Sequence, residues 1–375
     1  MSIASSLGLR LEPRVDTPRW MNWAIPVASF LAALLVGAIL LLITSQNPIS
    51  VYQRILERGF LDTGSLSGTF ISATPLLFTG LCAAVAFRVG FFNIGGEGQF
   101  YVGAVFASGI ALALGADAQS WIAVGAMIVA GALGGALWAF IPGILRARFR
   151  TNEIITSLML NYIAAIGATY LIFESDSFWR ELGGTGAVFP KGKIIPLTAQ
   201  WPSFDLGTLV LPFGLILGAV VAIWLHVLQR RTRFGYEMRV VGGAPSTARY
   251  AGMRPARVIV AVAMLSGALA GLGGAADVGN FRHVLDPKGL QQSGFGYAGI
   301  VVAALARLNP LAVVFVAIIL GGITNAGYAL QGPDFPAGLV GTLQGLILFC
   351  TLGGEVLVRY RIINTRGRSR AVTTS

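Results

Sequence analysis

The chain has 375 residues, of which 55% are hydrophobic and only 11% charged, with a mean hydropathy of +0.74. A soluble globular chain carries about 25% charged residues, so the composition excludes that class and reads as an all-α polytopic membrane protein. The net charge of +11 needs no nucleic-acid partner, because the basic residues sit in short loops where the positive-inside bias accounts for them.

Residues 1–22 are polar, with Arg10, Arg14 and Arg19 ahead of the first apolar run, 23–44. That run is about twice the length of a signal-peptide core, and the TSQNP that follows is no small-residue cleavage site. It reads as a retained first span with a cytoplasmic N-terminal segment. Residues 45–68 carry Arg54, Glu57, Arg58 and Asp62 and read as an external loop with a short amphipathic segment. The second span, 69–87, contains Pro75, which removes a backbone donor and predicts a kink. The third covers 99–114. The fourth, 120–145, is crowded with small residues that let membrane helices approach closely.

Between the second and third spans lies RVGFFNIGGEGQFY, 88–101. Asn93, Glu97 and Gln99 surround glycines there, and a carboxylate in or near the hydrocarbon costs on the order of 2.5–3.5 kcal/mol on the insertion scale. Lipid-facing helices gain nothing from such residues, whereas a polar path does. A helix-capping or hydrogen-bonding role for Glu97 is the competing reading.

Arg146, Arg148 and Arg150 mark a cytoplasmic turn, and the fifth span, 151–173, is unusually polar. Asn152/Thr156 and Ser157/Asn161 are i,i+4 pairs, each sharing a helix face. Both faces are expected to look into the bundle, as interhelical glue or as a path lining. Residues 174–206 form the longest external loop, and the sixth span, 206–228, returns inside. The segment 230–257, RRTRFGYEMRVVGGAPSTARYAGMRPAR, is too polar to span. Its 245–253 part predicts one short helix capped near Ser246, and the whole segment is either a solvated surface or a docking surface. The seventh span is 258–277. A glycine-rich external segment reaches 296, and the eighth, 297–305, is re-entrant or broken, since nine residues rise only about 14 Å against a hydrocarbon core of about 30 Å. The ninth, 311–330, and the tenth, 337–358, flank the turn signal QGPDFP, and 359–375 is a basic cytoplasmic tail.

This ten-segment topology places Arg54, Arg58, Arg180, Lys191, Lys193, Arg282 and Lys288 outside, and the remaining 20 of the 27 basic residues inside. GALGGAL at 131–137 and GALAGLGG at 267–274 resemble each other in glycine and alanine alone and are not counted as a repeat. Cys82 and Cys350 lie in apolar runs and read as small hydrophobes, and His226 and His283 have no ligand-like neighbours, so no metal site is indicated. No P-loop, zincin or hydrolase motif occurs. The intramembrane carboxylates Glu97 and Asp277 are far apart in sequence, which argues against an ion-coupled secondary transporter. No catalytic cluster supports a multispan enzyme.

Six stretches in order, ATPLLFTGL (73–81), FNIGGEGQFYVGA (92–104), NEIITSLMLNYIA (152–164), GYEMRVVGGAPSTARYAGM (235–253), GFGYAGIVVAALARLNPLA (294–312) and LQGLILF (343–349), make the chain resemble the permease subunits of ABC importers of the branched-chain amino acid/ribose type. More narrowly it is similar to the nucleoside branch, often described as simple-sugar permeases, and to the longer of that branch's two permeases. The resemblance implies a type II-like importer fold in the bacterial inner membrane, with about ten helices over 23–358 and no cofactor of its own. ATP would be bound by partner ATPase subunits. A second, related permease would complete the path, and an external binding protein, often a lipoprotein, would deliver a nucleoside or, alternatively, a sugar such as ribose or galactose. It places Phe92, Asn93, Glu97, Gln99 and Asn161 near the translocation path. It also makes 230–257 the coupling segment, through Arg239, Pro245, Ala248, Tyr250, Ala251, Gly252 and Met253. Ala306 and the pair Gly242-Gly243 depart from the usual pattern without disturbing the class.

Overall fold

The computed structural model describes residues 9–13, 20–43, 45–187, 189–330 and 360–364, with scattered positions between 338 and 354. Residues 1–49 with 341–375 cluster as one compact unit and 50–340 as another.

In the first unit, strand β1 (Leu9–Pro13) pairs antiparallel with a strand at Tyr360–Asn364, Leu9 opposite Asn364 and Pro13 opposite Tyr360. The two polar ends read as a separate segment and tail are thus joined. Helix α1 (Met21–Ile43) corresponds to the first span and buries Ser29, Ala33, Gly37 and Leu41 at a spacing of four. The tenth segment and the QGPDFP turn lie for the most part outside the described residues. Those described at 341–343, 345–347, 349–350 and 353–354 are helical.

In the second unit, α2 (Pro48–Leu56) is the amphipathic segment, burying Val51 and Ile55. Among the described residues, seven helices are long and apolar enough to cross a membrane. They are α3 (Ser65–Arg88), α4 (Gly96–Leu114), α5 (Ser120–Phe149), α6 (Glu153–Thr169), α7 (Phe213–Arg231), α10 (Pro255–Asp277) and α13 (Pro310–Leu330). α6 and α10 each run on through a π-helical turn, at Tyr170–Glu174 and Val278–Arg282. α3 is the most buried of the seven, with α10 next, and the two pack on each other while α10 also packs on α4 and α5. Pro75 sits inside a helix that continues unbroken.

The two glycine-rich stretches set aside as a repeat prove to be packing partners. A Cβ on Gly271 of α10 would collide with the Gly131 carbonyl of α5 and crowd Gly135, and one on Gly135 would collide with the Gly267 carbonyl. Backbone meets backbone there, which only glycine allows.

Three boundaries differ from expectation. The sixth span starts at Phe213 rather than at 206, because 203–212 folds into a hairpin of β2 (Ser203–Leu206) and β3 (Leu209–Pro212). The polar segment after α7 forms two helices, α8 (Arg233–Gly243) and α9 (Pro245–Tyr250). α9 is not capped by Ser246: Ala244 stands at the cap with Pro245 in the first turn, where a missing N–H costs nothing. The helix also stops at Tyr250, short of Met253. The external segment holds α11 (Pro287–Ser293) before α12 (Phe295–Leu305). At 11 residues, α12 rises only about 16 Å, short of a full crossing.

Candidate functional site

The turn between α3 and α4 enters through Gly90, whose φ of +73° favours glycine. Beyond it, Asn93 and Gln99 exchange two hydrogen bonds. Asn93 Nδ2 donates to Gln99 Oε1 at 2.9 Å, and Gln99 Nε2 donates to Asn93 Oδ1 at 3.0 Å. Asn93 Nδ2 also donates to Ser266 Oγ of α10 at 2.8 Å, and its Oδ1 accepts the Gly95 N–H at 3.0 Å. Cys82 of α3 closes the group, with Sγ 3.2 Å from Ser266 Oγ.

Asn161 joins α6 to the same junction through both ends of its amide. Oδ1 accepts the Gly98 N–H at 2.8 Å, while Nδ2 donates to the Ile94 carbonyl at 2.9 Å and to the Tyr297 hydroxyl at 3.2 Å. A Cβ on Gly98 would lie 2.9 Å from Asn161 Cα, so glycine there is what lets α4 and α6 approach.

Glu97 points the other way, at α12. Its Oε1 accepts the Tyr101 hydroxyl at 2.5 Å, and its Oε2 accepts the backbone N–H of Gly296 at 2.5 Å and of Tyr297 at 3.3 Å. These are first-turn N–H groups that the helix itself cannot satisfy, and a carboxylate beside them is also favoured by the helix dipole.

Asn93, Glu97, Gln99 and Asn161 are thus brought together at the meeting of five helices, exposed by only 1%, 2%, 1% and 3%. Phe92 is set apart: it is 48% exposed and packs on Phe87, ring centroids 5.4 Å apart. Ser266, Tyr101 and Tyr297 belong to the junction and were not singled out from sequence. Ser266 was a polar residue in a glycine-rich span, and Tyr297 lay within the GFGYAG stretch. Of the two polar pairs on α6, Ser157 and Asn161 face the bundle, in line with buried Glu153, Ala164 and Ala168. Asn152 and Thr156 do not. Asn152 caps the helix, its Oδ1 accepting the Ile154 N–H at 3.0 Å, and the Thr156 hydroxyl donates to the Asn152 carbonyl at 3.1 Å.

Two further buried carboxylates among the described residues, Asp277 and Glu153, are paired. Asp277 meets Arg282 at 2.8 Å, and Arg282 also reaches Asp286 at 3.3 Å and the Gly289 carbonyl at 3.0 Å. Buried Glu153 meets Arg146 at 3.2 Å.

A second cluster of expected site residues lies on α8, α9 and the turn after them. Ala248 is buried and anchors α9, whereas Tyr250 is 94% exposed. Pro245, Ala251, Gly252 and Arg239 are also on the surface, and Met253 is half-buried. Gly252 has φ +75°, and the Met253 N–H returns to the Ala248 carbonyl at 3.0 Å, so the turn is compact. Ala251, Gly252 and Met253 line one side of a cavity of about 450 Å³, with Arg233, Arg254 and Arg257 among its other walls. Arg239 folds back on α7, donating to the Gln229 carbonyl. Gly242 of α8 lies against the Arg88 carbonyl, so α8 touches the end of α3 directly.

Seven membrane-length helices among the described residues, four of them meeting with α12 at one buried polar junction, and a folded basic segment between α7 and α10 define a multi-pass membrane transport protein. The chain belongs to the family described as branched-chain amino acid transport system / permease component, whose model matches residues 65–352. It is similar to the glucose ABC transporter permease protein TsgB13 of Haloferax volcanii, 31% identical over 94% of this chain and 93% of that one. The guanosine ABC transporter permease protein NupP of Bacillus subtilis is 32% identical over 81% of this chain and 85% of its own. The nucleoside ABC transporter permease protein NupB of Lactococcus lactis is 29% identical over 87% and 89%. No solved structure matches. The chain is therefore a non-catalytic permease subunit of an ABC transporter, a class that works with ATPase subunits and a substrate-binding protein.

Proposed function

We propose that this permease imports nucleosides across the bacterial inner membrane. The observation that carries the reading is the near full-length similarity to guanosine and nucleoside permeases. In this reading both termini are cytoplasmic, and the joined strands of the two chain ends, which bring them to one place, support a common side. A second, related permease completes the path, and an external binding protein delivers the substrate. The segment 230–257 docks in an ATPase subunit that binds the ATP, presenting exposed Tyr250 and the basic cavity wall of Arg233, Arg254 and Arg257. The chain itself holds no cofactor. Phe92, Asn93, Glu97, Gln99 and Asn161 serve the path in two ways: Phe92 offers it an aromatic surface, and the other four hold the helices that frame it. Pairing of Asp277 with Arg282, and occupation of Glu97 by three donors, leave an ion-coupled mechanism without a free carboxylate at these positions.

The similarity to a glucose permease over 94% of the chain supports a second reading, a simple-sugar importer. Uptake of labelled adenosine, guanosine and uridine in cells with and without the gene, competed by ribose, glucose, galactose and leucine, decides between them. Nucleoside uptake lost on deletion and blocked only by nucleosides is the expected result. A loss confined to sugar uptake moves the substrate to sugars and leaves the ABC architecture intact.

A further inference from the structure

Gln229 lies in the last turns of α7, on the face that also buries Ala222 and Leu225, and is itself 2% exposed. Two guanidinium groups converge on it from different helices. Arg88, at the end of α3, donates from Nη1 to Gln229 Oε1, and Arg239 of α8 donates from Nη1 to the Gln229 carbonyl. The Arg88 bond also sets the amide's orientation, since the flipped amide would turn N–H groups toward a cation. Nε2 is therefore the amide's donor end, and among the described residues it is buried without a hydrogen-bond partner. Arg230 is the next residue, and its charge and that of Arg239 repel Arg88. Among the described residues no carboxylate pairs with Arg88, Arg230 or Arg239. Glu237, on α8, is held by Arg233, and Glu153 by Arg146.

An unpaired buried amide donor beside mutually repelling cations is unfavourable by itself. One added group removes both penalties: an oxyanion, which accepts from the amide and from guanidinium forks together. We propose that Arg88, Arg230, Arg239 and Gln229 Nε2 bind a phosphate group, carried by an anionic phospholipid headgroup or by free inorganic phosphate. The site lies where α3 and α7 both end in arginine, the depth at which a spanning bundle meets headgroups. A bound phosphate would tie α8 to α3 and α7, so occupancy braces the basic segment against the bundle.

The test uses the complete purified transporter in nanodiscs, with its thermal unfolding midpoint as the readout. In one arm phosphatidylglycerol is added to phosphatidylcholine. In the other, pure phosphatidylcholine discs are titrated with inorganic phosphate against chloride at constant ionic strength. The midpoint is expected to rise in at least one arm, the first marking a lipid source and the second a soluble one. Arg88→Gln should weaken the apparent affinity about tenfold or more, the value of a charged hydrogen bond, and Arg88→Lys should keep part of it. Gln229→Glu places a carboxylate in the site, so this variant should start with a raised midpoint and lose the response. A wild-type midpoint indifferent to both arms overturns the proposal. So do Arg88→Gln and Gln229→Glu proteins that respond as wild type does. None of these outcomes depends on which solute is transported.

Discussion

Glu97 and Asn161 make opposite demands on their chemistry. Glu97 only accepts, from one phenol and two backbone N–H groups. Asn161 must accept at one end and donate at the other. Leaving a buried donor unpaired costs about 1–3 kcal/mol, so Glu97→Ala, which strands three, should lower stability by on the order of 3 kcal/mol or more and reduce transport. Glu97→Gln retains an acceptor for Gly296 and should lie between it and wild type. Thermal midpoints of the purified complex and uptake at matched expression measure both, and wild-type values for Glu97→Ala would remove the capping role. Asn161→Asp is nearly isosteric, yet it sets a carboxylate oxygen against the Ile94 carbonyl. It should be worse than Asn161→Ala, an order that a purely steric role for Asn161 does not produce.

At the scale of elements, the contact between α5 and α10 depends on glycine. A side chain at Gly135 or Gly271 meets backbone that cannot yield, so the helices must separate along their length. Gly271→Val should abolish folded protein in the membrane, as judged by size-exclusion chromatography in detergent. Gly125 lies in the same α5 helix with nothing within 4 Å of a Cβ. There Gly125→Ala should be neutral or stabilise by up to about 1 kcal/mol, since alanine loses less entropy in a helix. Equal behaviour of the two variants would show that α5 and α10 are not packed backbone to backbone. α12 illustrates the complementary case. Too short to cross alone, it packs along α3 and is capped at its N-terminus by Glu97.

On the scale of the molecule, the proposed coupling route is a sequence of contacts. Tyr250 and the 251–253 turn face outward, Ala248 seats α9, Gly242 sets α8 on the Arg88 carbonyl, and five residues beyond Arg88 the polar junction begins at Asn93. In the proposed route, movement of α8 would reach the junction of α3, α4, α6, α10 and α12 through these direct contacts. Ala251→Glu, or Gly252→Val at a φ of +75°, should leave ATP hydrolysis by the assembled transporter present while lowering solute moved per ATP severalfold. The ratio of phosphate release to uptake in proteoliposomes measures this, and an unchanged ratio would discard the route.

Much of this protein follows from local rules. A helix is the economical way for a single segment to satisfy its backbone in lipid, so long apolar runs located α1, α3, α4, α5, α6, α7, α10 and α13 to within several residues, and a nine-residue run marked α12 as too short. Polar residues in such runs flagged Asn93, Glu97, Gln99 and Asn161 for the same reason. α8 and the 203–212 hairpin escaped notice because short polar segments carry little periodic signal and are shaped by what they pack on. Which donor meets which acceptor was decided only by the tertiary structure: Glu97 finds Gly296 about 200 residues away, Asn93 finds Ser266, and Gly135 finds Gly267. Transfer of a segment from water to lipid is an additive property of its own residues. Pairing is not, because it depends on where the rest of the chain brings the partner.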